Sequence, residues 1–260
     1  MWKKEMNTAR SAAMEAGKIL KDLYGNIRNI SKKGKIDLVT EADLASEKAV
    51  IDVFTRDFSD DMIIAEESGK TGEISDRQWI VDPLDGTTNF AHSFPFFCVS
   101  IAFQAGDELV AGVVYNPVLD EFFEAEKGKG AFLNNKPIKV SDRVNLKDSL
   151  VGTGFPYDVY EDPEPVMDIL KRMIVKVQGI RRAGAAAVDL CYLAAGRLDG
   201  FWEQDLKPWD TAAGTVILKE AGGVISDFKG NLYNPYMRSV LASAPGIHGK
   251  MLEVLNSSNM

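Results

Sequence analysis

The residues best suited to chemistry are two aspartates, Asp82 and Asp85, in the segment Asp82-Pro83-Leu84-Asp85-Gly86-Thr87-Thr88-Asn89. This segment follows the apolar run 79–81, and two carboxylates three residues apart could converge on one centre there. The Leu84 backbone carbonyl lies between them as a further oxygen ligand. Hard oxygen ligands without His or Cys favour magnesium, manganese or calcium over zinc. The segment therefore predicts a divalent-metal site, although its residue types are also common in ordinary turns.

Further acids follow the ends of predicted elements. Glu66 and Glu67 come after the apolar run 62–65, and Asp210 lies at the start of a predicted helix. Residues 86–88 could begin another helix, whose exposed backbone amides would hold a phosphate. The simpler interpretations are that Glu67 is solvated and that Asp210 only caps its helix.

The order of predicted elements divides the chain into two halves. Helices and short strands come first, with an antiparallel meander over residues 99–125, and strands and helices then alternate. We place the boundary near Asn145. This gives an N-terminal α+β half, residues 1–145, and a C-terminal α/β half, residues 146–260.

Composition and sequence pattern predict a soluble protein and argue against a nucleic-acid-binding, a secreted or a membrane-spanning one. A formal net charge of −8 does not suit a broad nucleic-acid surface, which needs clustered Lys and Arg. Cys98 and Cys191 lie in apolar runs, as core thiols do. The N-terminal sequence lacks the pattern of a signal peptide, and the longest apolar stretch, residues 94–105, is too short to span a bilayer. We therefore expect a cytoplasmic protein without membrane segments.

Three motifs, and their order along the chain, resemble those of the inositol monophosphatase family of magnesium-dependent, lithium-sensitive phosphatases. They are Glu66-Glu67-Ser68, the segment from Asp82 to Phe90, and Trp209-Asp210-Thr211-Ala212-Ala213-Gly214 followed by Glu220-Ala221-Gly222-Gly223. The likeness covers nearly the whole chain. It implies a layered α/β/α/β/α sandwich of the inositol monophosphatase and fructose-1,6-bisphosphatase type, with the active site between the halves. It also implies a homodimer.

The resemblance implies a role for each acid. The metal ligands would be Glu66, Asp82, Asp85, Asp210 and the Leu84 carbonyl, for two or three Mg²⁺ ions with Mn²⁺ as a possible substitute. Glu66 and Thr87 would orient the attacking water. Asp43 would support Thr87, although it also has the spacing of a helix capping box with Thr40.

The charge of these acids gives a physical reason for metal. Two like charges about 4 Å apart repel by about 4 kcal/mol at an effective dielectric of 20. Four converging carboxylates could therefore not all stay ionised without cations.

The resemblance also implies the substrate contacts. Gly86 and Thr87 belong to the phosphate loop, and Glu203 would accept a hydrogen bond from a polyol hydroxyl. Lys32 matches a basic loop near the metals, although an exposed charge run explains it equally well. Ala185 stands where relatives often carry Ser or Thr, so one polar contact is lost. Inositol 1-phosphate is the leading substrate, with fructose 1,6-bisphosphate, NADP and other sugar phosphates as alternatives.

Two rival functions remain open from the sequence. Asp82 and Asp85 before Gly86-Thr87 resemble a phosphatase that forms an aspartyl-phosphate, but the haloacid-dehalogenase pattern has one residue between its aspartates and this chain has two. A regulatory binding protein on the same fold is the second rival. His92 and His248 are interpreted as ordinary surface or loop residues.

Overall fold

The computed structural model describes residues 1–26, 30–32 and 38–257. Its helices are α1 (Lys3–Leu23), α2 (Glu41–Asp57), α3 (Thr87–Ala91), α4 (Glu164–Ile174), α5 (Ala186–Ala194), α6 (Pro208–Glu220) and α7 (His248–Asn256). Its strands are β1 (Ile30–Lys32), β2 (Leu38–Thr40), β3 (Met62–Ala65), β4 (Gly69–Thr71), β5 (Arg77–Asp85), β6 (Cys98–Ala105), β7 (Glu108–Asn116), β8 (Glu121–Glu126), β9 (Ala131–Leu133), β10 (Lys136–Ile138), β11 (Leu150–Thr153), β12 (Gly179–Arg181), β13 (Gly200–Gln204), β14 (Val224–Ser226) and β15 (Ser239–Ser243).

Two large sheets and three helix layers make up the architecture. An eight-stranded sheet has the order β10-β9-β8-β7-β6-β5-β3-β4, and a five-stranded sheet has the order β12-β11-β13-β15-β14. Helices α1 and α2 cover one face of the larger sheet, and α5 and α6 lie between the two sheets. Helices α4 and α7 cover the outer face of the smaller sheet. This arrangement confirms the predicted layered α/β/α/β/α sandwich.

Strand β5 lies inside the large sheet, and its sequence explains why. Trp79 and Val81 point into the core beneath α1 and α2, whereas Ile80 points into the core beneath α5 and α6. Side chains alternate between the two faces of a strand, so a strand covered on both faces reads as a continuous apolar run. The short apolar run that precedes Asp82 is therefore the signature of a strand buried on both faces.

The strand extends further than the sequence indicates. We expect a loop from Asp82 onward, yet β5 continues to Asp85, with a register shift against β6 between these two residues. Pro83 has no backbone N–H to donate to the ladder, which accounts for a local irregularity at this point. The two aspartates therefore project from an irregular strand end and not from a free loop.

The meander predicted over residues 99–125 is confirmed as β6, β7 and β8, which pair antiparallel in sequence order. The larger sheet ends at Ile138 and the smaller one begins at Leu150, on either side of Asn145. Helix α7 was not anticipated from the sequence. No helix among the described residues combines the length and apolarity that crossing a membrane requires.

The aromatic stack between Phe54 of α2 and Trp79 of β5 should contribute strongly to stability. The Phe54 and Trp79 rings lie 4.2 Å apart and are nearly parallel, and both side chains are fully buried. We expect Phe54→Ala to lower the free energy of unfolding by about 3 to 5 kcal/mol because it leaves a cavity. Urea unfolding measures this, with the exposed Met14→Ala as control; equal midpoints for the two variants would contradict the analysis.

Candidate active site

The start of α2 holds the first candidate residue. Asp43 Oδ2 accepts hydrogen bonds from the backbone N–H and the hydroxyl of Thr40, both at 2.7 Å, which confirms the predicted capping box. Its other oxygen, Oδ1, accepts a hydrogen bond from the Thr87 hydroxyl at 2.9 Å. Burial raises the pKa of Asp43, and its hydrogen bonds oppose that shift. The carboxylate therefore caps a helix and holds Thr87 at the same time.

The end of β5 supplies the central acids. Asp82 Oδ1 accepts from the Leu84 backbone N–H at 3.0 Å, and Asp85 Oδ2 accepts from the Ala187 N–H, at the start of α5, at 2.7 Å. Asp82 is 1% exposed and Asp85 is 9% exposed. The strand end is also fixed from α2, because the Ser46 hydroxyl donates to the Pro83 carbonyl at 2.7 Å. Each acid keeps one oxygen bound to backbone and one available to a ligand.

The start of α6 brings in an acid from the C-terminal half. Asp210 is the third residue of α6, and its Oδ2 accepts from the Lys207 backbone N–H at 2.6 Å. The interpretation of Asp210 as the N-cap itself is therefore wrong, since Lys207 occupies that position. Repulsion from Asp210 contributes to the raised pKa of Asp82, so the two carboxyl groups are close to each other. Acids 128 positions apart in the printed sequence thus lie side by side.

One cavity of about 210 Å³ unites the residues of all three motifs. Its lining includes Glu66, Asp82, Leu84, Asp85, Gly86, Thr87, Tyr157, Lys207, Trp209 and Asp210. An adjoining cavity of about 110 Å³ shares Asp85, Gly86, Thr87 and Asp210 with it. The adjoining cavity extends towards Arg182, Ala185 and Glu203. The structure therefore brings the predicted metal ligands together and connects them to a separate compartment.

The acids perturb one another strongly. Burial first, and then repulsion from Glu66, Asp85 and Asp210, raises the pKa of Asp82 well above its ordinary value. Burial is also the largest cause that raises the pKa of Asp85 and of Asp210 to about 7. A cation between these oxygens would relieve the repulsion.

The donor set fits a hard divalent cation, since every candidate ligand is a carboxylate or carbonyl oxygen. Among residues 1–26, 30–32 and 38–257, however, no group of three or more Asp, Glu, His or Cys side chains is arranged to hold an ion as it stands. The acids share a cavity without closing into a cage. The assignment of individual metal ligands therefore stays a prediction.

Glycines shape the two compartments. Gly86 has a φ of +94° immediately before α3, a left-handed conformation that favours glycine. At Gly154, a Cβ atom would lie 2.0 Å from a Glu203 carboxylate oxygen. Only glycine leaves room for the Glu203 carboxylate, whose pKa is raised well above its ordinary value by burial and then by repulsion from Asp189.

The structure locates two of the predicted substrate-contacting side chains but does not describe a third. Glu203 and Ala185 both line the smaller compartment. The Lys32 side chain lies outside the described residues. Sequence reasoning did not find Tyr157, which lines both compartments, or the space that Gly154 provides. Neither has a local charge or spacing signal that would mark it before folding.

Comparisons with known proteins identify the class of enzyme and then the family. Residues 2–259 match a family of phosphoric monoester hydrolases, described as the Inositol monophosphatase family. The chain belongs to the inositol monophosphatase family, whose activity is metal-dependent phosphate-ester hydrolysis. The family resemblance noted in the sequence is thereby confirmed.

Three similar proteins illustrate this membership. The inositol-1-monophosphatase of Synechocystis sp. is 42% identical over 255 residues, which cover 96% of this chain and 88% of that protein. The Nus factor SuhB of Vibrio cholerae is 40% identical over 260 residues, covering 98% of this chain and 97% of that protein. The extragenic suppressor protein suhB of Bartonella henselae matches in structure with a TM-score of 0.93 and 41% identity, covering 98% of this chain and 99% of that one.

The buried acids should make the metal-free protein less stable as the pH rises. Between the ordinary Asp pKa of 3.8 and about 7, the folded state binds more protons at Asp85 and Asp210 than the unfolded chain does. The free energy of unfolding therefore falls through this window, by up to on the order of 4 kcal/mol for one such carboxyl. We expect a lower melting temperature at pH 8 than at pH 5.5 in EDTA, and a larger stabilisation by Mg²⁺ at pH 8.

Matched variants identify the cause of this effect. Asp210→Asn should flatten the pH dependence in EDTA because it removes one of the buried charges. Asp60→Asn, at an exposed position, should leave it unchanged. A melting temperature that does not fall between pH 5.5 and pH 8 would contradict the proposed repulsion.

Proposed function

We propose that this chain hydrolyses inositol 1-phosphate to inositol and phosphate by direct attack of water, with Mg²⁺ as the working cation. The observation that carries the proposal is the shared cavity, in which acids from three separate motifs meet beside the Thr87 and Asp43 pair. Mn²⁺ is a candidate substitute because it accepts the same oxygen donors.

The proposed metal ligands come from all three sequence motifs. Glu66, Asp82, Asp85, Asp210 and the Leu84 carbonyl would hold two or three ions. When bound, the cation supplies Lewis-acid stabilisation of phosphoryl charge and lowers the pKa of the attacking water. The protein holds Asp82, Asp85 and Asp210 by backbone hydrogen bonds, so their orientation does not depend on the substrate.

Thr87 is well placed to orient the nucleophile. Its single hydroxyl proton is directed to Asp43 Oδ1, at 2.9 Å, or to the Leu84 carbonyl, at 3.1 Å. Either bond leaves the Thr87 oxygen lone pairs free to accept a hydrogen bond from water. With Glu66 on the same cavity wall, water could be held for in-line attack.

The phosphate and the polyol would occupy adjacent compartments. The first backbone amides of α3, after Gly86, have no partner within that helix and can donate to phosphate oxygens. Glu203, 9% exposed, would accept from a polyol hydroxyl in the smaller compartment. Ala185 offers no hydroxyl there, so recognition of the ring would depend on Glu203 and not on residue 185.

A phosphate-release screen tests the substrate. The panel is inositol 1-phosphate, fructose 1,6-bisphosphate and NADP, with Mg²⁺ titrated and Li⁺ added. We expect the highest kcat/KM for inositol 1-phosphate and inhibition by Li⁺. A higher value for either other ester would replace inositol 1-phosphate as the substrate, and a phosphoenzyme trapped by rapid quench would replace direct attack by the aspartyl-phosphate route.

Loss of one central acid should remove turnover. We expect Asp82→Asn or Asp210→Asn to lower kcat at least about 10²-fold because each removes a negative ligand from the cavity. Circular dichroism should show that both variants stay folded. Asp60→Asn is the control, and near-normal turnover in either cavity variant would refute the assignment.

The Thr87 hydroxyl should affect kcat more than KM. We expect Thr87→Val to lower kcat by about 10² to 10⁴-fold, as for other groups that handle the proton of a nucleophile. KM should change by less than about threefold, because uniform substrate binding is not removed. Thr87→Ser keeps the hydroxyl and should retain most activity; an equal loss in Ser and Val variants would point to packing instead.

A regulatory role is the second candidate function, and the similarity to a protein named Nus factor SuhB favours it. The presence of all four cavity acids makes such a role an addition to catalysis and not a replacement. An inactive, folded Asp210→Asn variant separates the two. If this variant restores a defect caused by loss of the gene, the role does not need turnover.

We also infer a cytoplasmic homodimer. The family resemblance supports the dimer, and the reduced state of two buried free cysteines suits a reducing compartment. Light scattering in solution should give twice the chain mass of 28.6 kDa. A mass equal to one chain would overturn the dimer.

A further inference from the structure

A second cavity, of about 630 Å³, lies at the C-terminal end of α6. None of its lining residues lines the two active-site compartments. Its volume falls within the roughly 300 to 1,000 Å³ of small-molecule sites. The walls come from α6, the β6–β7 turn, the β8–β9 turn and residues 232–236. The catalytic function gives no use to this space.

Most charged groups in this cavity already have partners. Lys127 forms an ion pair with Glu108. Both Glu220 carboxylate oxygens accept backbone N–H groups, from Gly128 and Gly130, at 2.8 Å each. These charged groups already bind other parts of the cavity wall, so they contribute little to binding a ligand.

Two polar groups on α6, Thr215 and Lys219, lack such partners among the described residues. Thr215 is 1% exposed, and its hydroxyl has no hydrogen-bond partner within the part of the chain that the structure describes. A buried polar group without a partner costs free energy, but burial keeps the Thr215 hydroxyl out of reach of a ligand in the cavity. One turn further along α6, the Lys219 ammonium has no acidic partner among the described residues. The exposed Lys219 ammonium can therefore pair with an anionic ligand.

Part of the lining is aromatic and apolar. It includes Tyr233, Pro235 and Tyr236, of which Tyr233 is 4% exposed and Tyr236 is 56% exposed. Rings of this kind favour a planar ring in the ligand. Asp107, also in the lining, adds a negative charge, which disfavours a dianion such as a phosphate monoester.

We propose that this cavity is a binding site for a small, ring-bearing monoanion, an aromatic carboxylate or sulfonate, and that α6 couples its occupancy to the active site. The ring would lie against Tyr236 and Pro235, with the anionic group at Lys219. The coupling route is short. Tyr233, in the cavity wall, donates its hydroxyl to Thr211 at 3.0 Å, and Thr211 directly follows Asp210.

Fluorescence titration with 8-anilinonaphthalene-1-sulfonate, a two-ring monoanion, tests the site without requiring turnover. We expect saturable binding whose Kd rises about fivefold in Lys219→Gln, because one exposed ion pair is lost. Tyr236→Ser should also weaken binding. The matched controls are Lys136→Gln and Tyr160→Ser, which change exposed residues outside the cavity. Absence of saturable binding, or equal Kd values in cavity and control variants, would overturn the site.

The same titration in EDTA and in saturating Mg²⁺ tests the coupling. Linkage requires that if the probe changes Mg²⁺ affinity, Mg²⁺ changes the probe Kd by the same factor. We expect at least about a threefold difference in the wild type. Tyr233→Phe should remove this difference while the Kd in EDTA stays within about twofold, because the ring remains and only the bond to Thr211 is lost. Identical Kd values with and without Mg²⁺ in the wild type would overturn the coupling.

Discussion

The burial of several carboxylates in one small cavity is the constraint on which the rest of the structure depends. Repulsion between them would push flexible side chains apart, and burial raises the cost of each charge. The fold opposes this by tying one oxygen of each of the three aspartates to a backbone N–H: Leu84 for Asp82, Ala187 for Asp85 and Lys207 for Asp210. The second oxygen of each aspartate is then left for the cavity. The raised pKa values of these groups are the consequence of holding them there.

This arrangement explains why the chain needs two sheets with helices between them. The large sheet provides Asp82 and Asp85 at the end of β5, and α6 provides Asp210 from the opposite half. Helices α5 and α6 can lie between the sheets because their residues are small where they pack. Ala187, Ala212 and Ala213 are fully buried there. The small-residue stretch after Asp210 is therefore as much a packing requirement as a signature of the family.

Much of the fold and part of the site could be predicted from the sequence because the signals are local. The apolar run before Asp82, the meander and the capping box of Thr40 and Asp43 each depend on neighbouring residues. The meeting of Asp82 with Asp210 depends on tertiary packing, and only the family resemblance suggested it. Tyr157 had no local signal at all.

The end of β5 and the position of His248 differ from the sequence-based expectation, and tertiary contacts explain both differences. The continuation of β5 through Pro83 reflects tertiary support from Ser46, which a local reading of Pro as a strand breaker does not include. His248 was interpreted as an ordinary surface or loop residue, yet it begins α7. Its ring nitrogens lie 3.0 Å from the Ser226 hydroxyl and 2.9 Å from the Ser243 hydroxyl. Ser226 and Ser243 are strand residues 22 and 5 positions before His248, and only the fold brings both of them to its ring.

Asp43 shows why structural and functional interpretations of one residue need not compete. A carboxylate has two oxygens with separate lone pairs, and here one oxygen receives two bonds from Thr40 while the other receives one from Thr87. The capping bonds fix the side chain to the start of α2, so the second oxygen reaches Thr87 without further loss of side-chain entropy. Thr87 in turn owes its direction to a group that the helix already orders. A residue that caps a helix is thus a good support for a catalytic hydroxyl, since the folding free energy has already fixed its position.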